Sequence, residues 1–175
     1  MKPVLSEKRF DYVSKADKEF VDAFNREMNA LGYTFGDEIG SGYCWGRHML
    51  IYRNPSLKSQ KVFARIYLRD KSTVLRMFFN NVDKHSAYIE TAPAFINEAF
   101  TGSFGKCGYC AGREDKCMFR KSYTIGGKPY EKCSGCTFEF AKPSVKRLDG
   151  YIGLFTTFYP NRRAGKRAGK PRSAK

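Results

Sequence analysis

Five of the six cysteines lie within one short stretch, and two pairs of them have the spacing Cys-x-x-Cys. They are Cys107, Cys110, Cys117, Cys133 and Cys136. Four thiolates that approach from two short turns meet the requirements of tetrahedral Zn²⁺. The stretch contains no histidine, and cysteines alone can fill four positions, so we predict a closed, structural zinc site.

A disulfide scaffold and a redox dithiol are the alternatives. The first nine residues contain no apolar signal-peptide core, and no run of apolar residues is long enough to span a membrane. We therefore expect a cytoplasmic protein without membrane insertion, in a compartment where disulfides are rare. A redox Cys-x-x-C pair favours the start of a helix, whereas Cys107 and Cys110 are flanked by glycine-rich, turn-forming sequence.

The spacing alone favours two similar zinc knuckles, formed by Cys107 with Cys110 and by Cys133 with Cys136. Each knuckle contains a glycine between its cysteines. Five cysteines compete for four positions, and spacing does not exclude Cys117.

Residues 117–125 and 131–140 resemble a group of uncharacterised bacterial proteins, whose motif reads C-x-x-C, then C-x-F-R, then K-C-x-G-x-T-F-E-F. The resemblance extends to residues 76–85 and 154–160. That motif has no cysteine at the position of Cys136. The resemblance therefore implies the ligands Cys107, Cys110, Cys117 and Cys133, with Cys136 as the alternative fourth ligand. The group has no assigned activity, so the resemblance implies none here.

Helices are predicted near both ends of the chain. Ser14 can cap a first helix that ends at Gly32. Helical segments are also predicted from Asp83 and from Pro93. Pro143 and Ser144 precede a last helix, whose predicted apolar stripe is Val145, Leu148, Ile152 and Phe155.

Alternating apolar and polar residues predict strands at Arg47–Arg53, Lys61–Arg69 and Thr73–Asn80. A hairpin is predicted from Lys121 to Cys133 around two glycines. We therefore predict an α+β fold, with a largely antiparallel sheet packed by N- and C-terminal helices. Residues 1–160 are expected to form one domain, with a zinc-binding subdomain at about 104–141 and a disordered basic tail at 161–175.

One predicted strand pair would place two arginines opposite each other. A turn at Asp70 and Lys71 pairs Arg65 with Arg76, beside Phe63 with Phe78. Opposed arginines repel unless a carboxylate or a bound anion lies between them. We interpret this face as a candidate anion site; a solvated face, or pairing with acidic residues from the helices, is the alternative.

Residues 40–48 contain three glycines and the only tryptophan. Tyr43 and Trp45 could form the wall of a pocket for a small aromatic ligand. The structural alternative is that Trp45 closes one end of the sheet.

The chain is strongly basic, with 32 Lys and Arg against 17 Asp and Glu, a formal charge of +15. The tail contains no acidic residue, and its candidate phosphate contacts are Arg162, Arg163, Lys166, Arg167, Lys170 and Arg172. Such a charge favours DNA or RNA binding that weakens as salt increases. A tail that only increases solubility is the alternative.

These patterns predict a non-enzymatic, zinc-stabilised protein that binds nucleic acid. A binding domain for a small anionic or aromatic ligand is the first alternative. An enzyme that uses cysteine or zinc chemistry is the second, although the chain contains no phosphate-binding loop, nucleophile elbow or His-Glu-x-x-His motif.

Overall fold

The computed structural model describes residues 2–36, 38–102, 120–132 and 137–160. The helices in these ranges are α1 (Lys15–Ala30), α2 (Ser86–Thr91), α3 (Ala94–Thr101) and α4 (Leu148–Phe158). The strands are β1 (Gly40–Ser41), β2 (His48–Arg53), β3 (Val62–Arg69), β4 (Ser72–Phe78), β5 (Lys121–Ile125), β6 (Lys128–Lys132) and β7 (Thr137–Ala141). The predicted mixture of helices with antiparallel sheet is confirmed.

Five strands form one antiparallel sheet in the order β1-β2-β3-β4-β7, and β5 pairs with β6 in a separate hairpin. The predicted register of β3 and β4 is confirmed, because Arg65 pairs with Arg76 and Tyr67 pairs with Val74. Strand β7 was not predicted, and it adds Glu139 to the row that contains Arg76.

Helices α1, α3 and α4 pack on one face of the sheet, which we call the covered face. Phe24 of α1 contacts Tyr52 with ring centroids 5.3 Å apart. Phe100 of α3 stacks on Phe138 at 4.1 Å, and Tyr151 of α4 meets Phe140 at 5.1 Å. The main hydrophobic core therefore lies between this face and the helices.

The first helix follows its predicted capping. Ser14 Oγ accepts a hydrogen bond from the backbone N–H of Asp17 at 3.1 Å, and Gly32 follows the helix with φ of +85°. A residue with a side chain is strained at that φ, so glycine suits the position.

The predicted stripe of the last helix is wrong in part. Val145 is exposed, and Ile152 is only half-buried, whereas Tyr151 and Leu154 are buried. The reason is that residues Val145–Arg147 form a 3₁₀ turn before α4, and this turn changes the phase of the helix.

The predicted pairing of Phe63 with Phe78 is also absent from the described pairs, which begin at Ala64 and Met77. The register of β2 against β3 shifts at Tyr52 and Arg53. Phe63 contacts Tyr33 and Phe155 in the main core. Among the described helices, none combines the length and apolar character that a bilayer-spanning segment needs.

Candidate functional site

The other side of the sheet, which we call the arginine face, consists of Met49, Ile51, Arg65, Tyr67, Val74, Arg76, Phe78 and Glu139. Met49, Tyr67 and Val74 form a small hydrophobic cluster that is separate from the main core. Charged and aromatic groups surround this cluster, so the face differs chemically from the covered face.

Residues 40–47, which we call the aromatic loop, lie at the edge of the arginine face. The Gly42 N–H donates to the Arg47 carbonyl at 3.1 Å, and the Trp45 N–H donates to the Gly42 carbonyl at 3.0 Å. The Arg47 N–H donates to the Leu68 carbonyl at 2.8 Å, which fixes the loop to β3. Backbone hydrogen bonds within the loop and to β3 therefore fix its conformation.

Two glycines allow this close approach of backbone to backbone. A Cβ at Gly42 would lie 2.3 Å from the carbonyl oxygen of Gly46, and a Cβ at Gly46 would lie 2.7 Å from that of Leu68. Between them, Tyr43 has φ of +50°, a left-handed conformation that is strained for tyrosine. Strain of this kind persists only where the surrounding structure enforces it.

The loop places two aromatic side chains at the surface. Tyr43 is 80% exposed, and Trp45 is 45% exposed. The Arg76 guanidinium lies over the indole of Trp45, 4.2 Å from the ring centroid. Trp45 therefore packs on the arginine face and also keeps part of its surface open to solvent.

Arg76 is buried, with 9% of its surface exposed, and it forms an ion pair with Glu139 on the neighbouring strand. Its guanidinium also lies 5.1 Å from the ring centroid of Tyr67. The carboxylate that the opposed arginines require thus comes from β7, not from a helix. This pairing neutralises one of the two arginines.

Arg65 is held by neutral groups. Its Nη1 donates to the Tyr67 hydroxyl at 3.2 Å, and its guanidinium lies 5.4 Å from the ring centroid of Phe78. Within the described residues it forms no ion pair, and its buried Nε has no hydrogen-bond partner. Arg65 is therefore an oriented cation that no described carboxylate neutralises.

An open cleft of about 550 Å³ lies beside the aromatic loop. Its lining is Ser41, Tyr43, Cys44, Trp45, Gly46, Arg47, Arg69 and Asp70. Arg69 Nε donates to the Trp45 carbonyl at 2.8 Å, and Arg47 pairs with Asp70 at 2.5 Å. The cleft thus joins aromatic surface to two guanidinium groups.

His48 lies at the start of β2 and contacts two aromatic residues of the N-terminal segment. Its Nδ1 shares a hydrogen bond of 2.8 Å with the Tyr12 hydroxyl, and its ring meets Phe10 edge-on. Burial lowers the pKa of His48 from its usual 6.5, and the charges of Arg9 and Arg47 lower it further, against a smaller opposite effect of Glu7. The imidazole therefore favours its neutral form.

The clustered cysteines lie outside the described residues, as do the tail residues Arg162 to Arg172. Within the described ranges, no group of three or more His, Cys, Asp or Glu side chains is arranged to hold a metal ion. The predicted zinc ligands therefore remain a sequence-based prediction.

The cysteines lie in two segments, residues 103–119 and 133–136, and the described residues that flank these segments come close together. Lys121 pairs with Lys132 across the β5–β6 hairpin, and Lys132 Nζ donates to the carbonyl of Ala99 near the end of α3. Phe138, just after the second segment, stacks on Phe100. Residues 102, 120, 132 and 137 thus border one region of the fold.

Lys132 is almost fully buried at this junction. Its ammonium lies 4.0 Å from the ring centroid of Phe138. Burial lowers the pKa of Lys132 to about 6, and the charge of Glu139 acts in the opposite direction.

Of the predicted pocket residues, the structure brings Trp45 into contact with Arg76, and places Arg65 opposite Arg76. Tyr43 and Trp45 both lie in the lining of the cleft. Sequence reasoning missed Glu139. The alternation in Thr137-Phe138-Glu139-Phe140 is nevertheless a strand signal, and it places Glu139 on the other face of the sheet from the two core phenylalanines.

No protein-family profile, curated protein or solved structure matches this chain.

Proposed function

We propose that this protein binds nucleic acid through the aromatic loop, the arginine face and the basic tail. The observation that carries the proposal is the 80% exposure of Tyr43 on a glycine-dependent, strained loop beside arginines. An exposed aromatic ring on a loop whose backbone is already fixed loses less conformational entropy when a flat base stacks on it than a ring on a mobile loop does.

The charge of the chain supports the same partner. The formal net charge is +15, and seven Lys or Arg occupy residues 161–175 without an acidic residue. Basic groups that contact phosphates release condensed counterions, which gives affinity without sequence preference. We propose that the tail supplies this general attraction and that the aromatic loop contacts the bases.

Fluorescence anisotropy with the full-length chain tests the proposal. Labelled single-stranded and duplex probes at about 50 mM salt give the most sensitive conditions. We expect binding that weakens steeply with salt, and a loss of at least about tenfold when residues 161–175 are deleted. Absence of binding to every probe at low salt would contradict the proposal.

We also propose that Zn²⁺ stabilises the cysteine-rich part of the chain in a structural role. The Cys-x-x-Cys spacings support this role, as does the proximity of the described residues that flank both cysteine segments. A shared metal would join two segments whose flanking residues lie close together.

Metal analysis by mass spectrometry, on protein purified without added metal, tests this role. We expect about one zinc per chain, retained in Cys136→Ser and lost in Cys117→Ser if the fourth ligand is Cys117. The reverse result would assign Cys136. No bound metal, with all thiols freely titrating, would contradict the zinc site.

The cleft beside the aromatic loop favours one second candidate function, the binding of a small anionic and aromatic ligand. Its volume of about 550 Å³ falls within the usual range for ligand sites, and Arg69 and Tyr43 line it. Adenosine monophosphate should then raise the unfolding temperature of the wild type and not of Arg69→Gln. An unchanged unfolding temperature at millimolar nucleotide would remove this candidate.

A further inference from the structure

The arginine face holds one more cation than its described carboxylates neutralise. Arg65 and Arg76 are cross-strand partners, and only Arg76 is paired with Glu139. Two adjacent guanidinium groups with one carboxylate leave one positive charge, and the repulsion between them favours an added anion.

Arg65 has the orientation that such an anion requires. The Tyr67 hydroxyl and the Phe78 ring hold its guanidinium on two sides, and the side chain is only half-buried. The planar fork of N–H groups in a guanidinium matches the oxygen geometry of both carboxylates and phosphates. One guanidinium can therefore donate several hydrogen bonds to phosphate oxygens.

Aromatic stacking surface lies directly beside this cation. Trp45 packs on Arg76, which is the strand partner of Arg65, and Tyr43 extends into solvent two residues earlier in the loop. Aromatic rings stack only on bases that are already unpaired and accessible, whereas the bases of a duplex are stacked on each other.

We propose that the arginine face binds single-stranded nucleic acid, with the Arg65 guanidinium on a backbone phosphate and with Tyr43 and Trp45 stacked on bases. This proposal rests on the proposed nucleic-acid binding and specifies its substrate class. The basic tail attracts single strands and duplexes alike, and the arginine face creates the preference for single strands.

The test compares a labelled oligothymidine of about 15 nucleotides with a duplex of the same length, using full-length protein. We expect the wild type to bind the single strand about tenfold more tightly or better. Arg65→Gln should weaken single-strand binding about tenfold, and reduce the slope of log affinity against log salt by about 0.7, with duplex binding unchanged.

Arg26→Gln is the matched control, because it removes the same charge from an exposed position on α1, on the opposite side of the sheet. It should lower single-strand affinity by less than about twofold. An equal loss in Arg26→Gln and Arg65→Gln would overturn the proposal, because diffuse charge would then explain the binding.

Tyr43→Asn tests the stacking surface independently of the core. Asparagine tolerates the left-handed backbone at this position, so the loop should keep its conformation. We expect a loss of about fivefold or more for the single strand, whereas Leu57→Asn, which also removes an exposed apolar side chain, should have little effect.

The outcomes separate this inference from the proposed function. Equal affinity for single strand and duplex would overturn the inference and leave general nucleic-acid binding intact, whereas no binding to either would overturn both. Thermal stabilisation by adenosine monophosphate that Arg65→Gln abolishes, without any preference for the single strand, would replace the strand with a small phosphate ligand and would also overturn the inference.

Discussion

The two faces of the five-stranded sheet share their backbone and differ in what their side chains contact. On the covered face, aromatic rings of α1, α3 and α4 pack against apolar strand residues. On the arginine face, guanidinium groups pack on Trp45, Tyr67 and Phe78. Because side chains alternate along a strand, one sheet can stabilise the fold on one side and bind polar partners on the other.

The largest effect is expected from removing a ring from the covered side. Phe79 is fully buried, and its ring centroid lies 4.3 Å from that of Phe158 and 5.8 Å from that of Phe138. Phe79→Ala should lower the free energy of unfolding by about 3–5 kcal/mol, because it leaves a cavity. Denaturant unfolding measures the loss, and the exposed Val145→Ala should change stability by less than about 0.5 kcal/mol. A similar small change in both variants would contradict the division of roles between the faces.

A smaller effect is expected from the backbone of the aromatic loop. Gly42→Ala places a Cβ against the Gly46 carbonyl and should cost about 1–3 kcal/mol. Gly40→Ala is the control, because a Cβ there has no atom within 4 Å. If both variants unfold at the same denaturant concentration, the close approach at Gly42 does not hold the loop.

The ion pair between Arg76 and Glu139 should contribute less than a core ring. A double-mutant cycle with Arg76→Gln and Glu139→Gln should give a coupling energy of about 1–2 kcal/mol, because the pair is partly desolvated. The same cycle on Arg47 and Asp70, where both side chains are more than half exposed, should give less than about 0.5 kcal/mol. Equal coupling energies would mean that the arginine face resembles ordinary solvated surface.

The smallest effect concerns pH. The folded protein lowers the pKa of His48 through burial and through Arg9 and Arg47, so the unfolded chain binds a proton more readily. Stability should therefore fall as pH decreases below about 6.5, and His48→Gln should reduce that dependence. Unfolding midpoints at pH 7.5 and 5.5 measure it. Burial also lowers the pKa of His85, so His85 should still contribute its part of the pH dependence of stability in this variant. A variant that is as sensitive to pH as the wild type would contradict the role of His48.

Local signals made part of this fold predictable. The cap at Ser14 and the turn between β3 and β4 depend on residues close in sequence, and both were correctly predicted. The 3₁₀ turn at Val145–Arg147 and the irregularity at Tyr52 depend on tertiary packing, so the positions of Val145 and Phe63 were wrong.

The site could be predicted only in part, because some of its contacts join residues that are far apart in the chain. The opposition of Arg65 and Arg76 follows from a local hairpin register. The carboxylate that neutralises Arg76 comes from a strand far along the chain, and its pairing has no local signature. The exposure of Tyr43 depends on backbone contacts between the loop and β3, which residue types alone do not specify.

The pairing of β4 with β7 has a consequence for the order of folding. Phe78 and Thr137 are neighbours in the sheet although about 60 residues separate them in the chain, so closing this contact costs more chain entropy than the adjacent hairpins do. We expect β2, β3 and β4 to associate first and β7 to join late. Until residue 141 leaves the ribosome, β4 is an unpaired edge, and the nascent chain is then most exposed to intermolecular strand pairing.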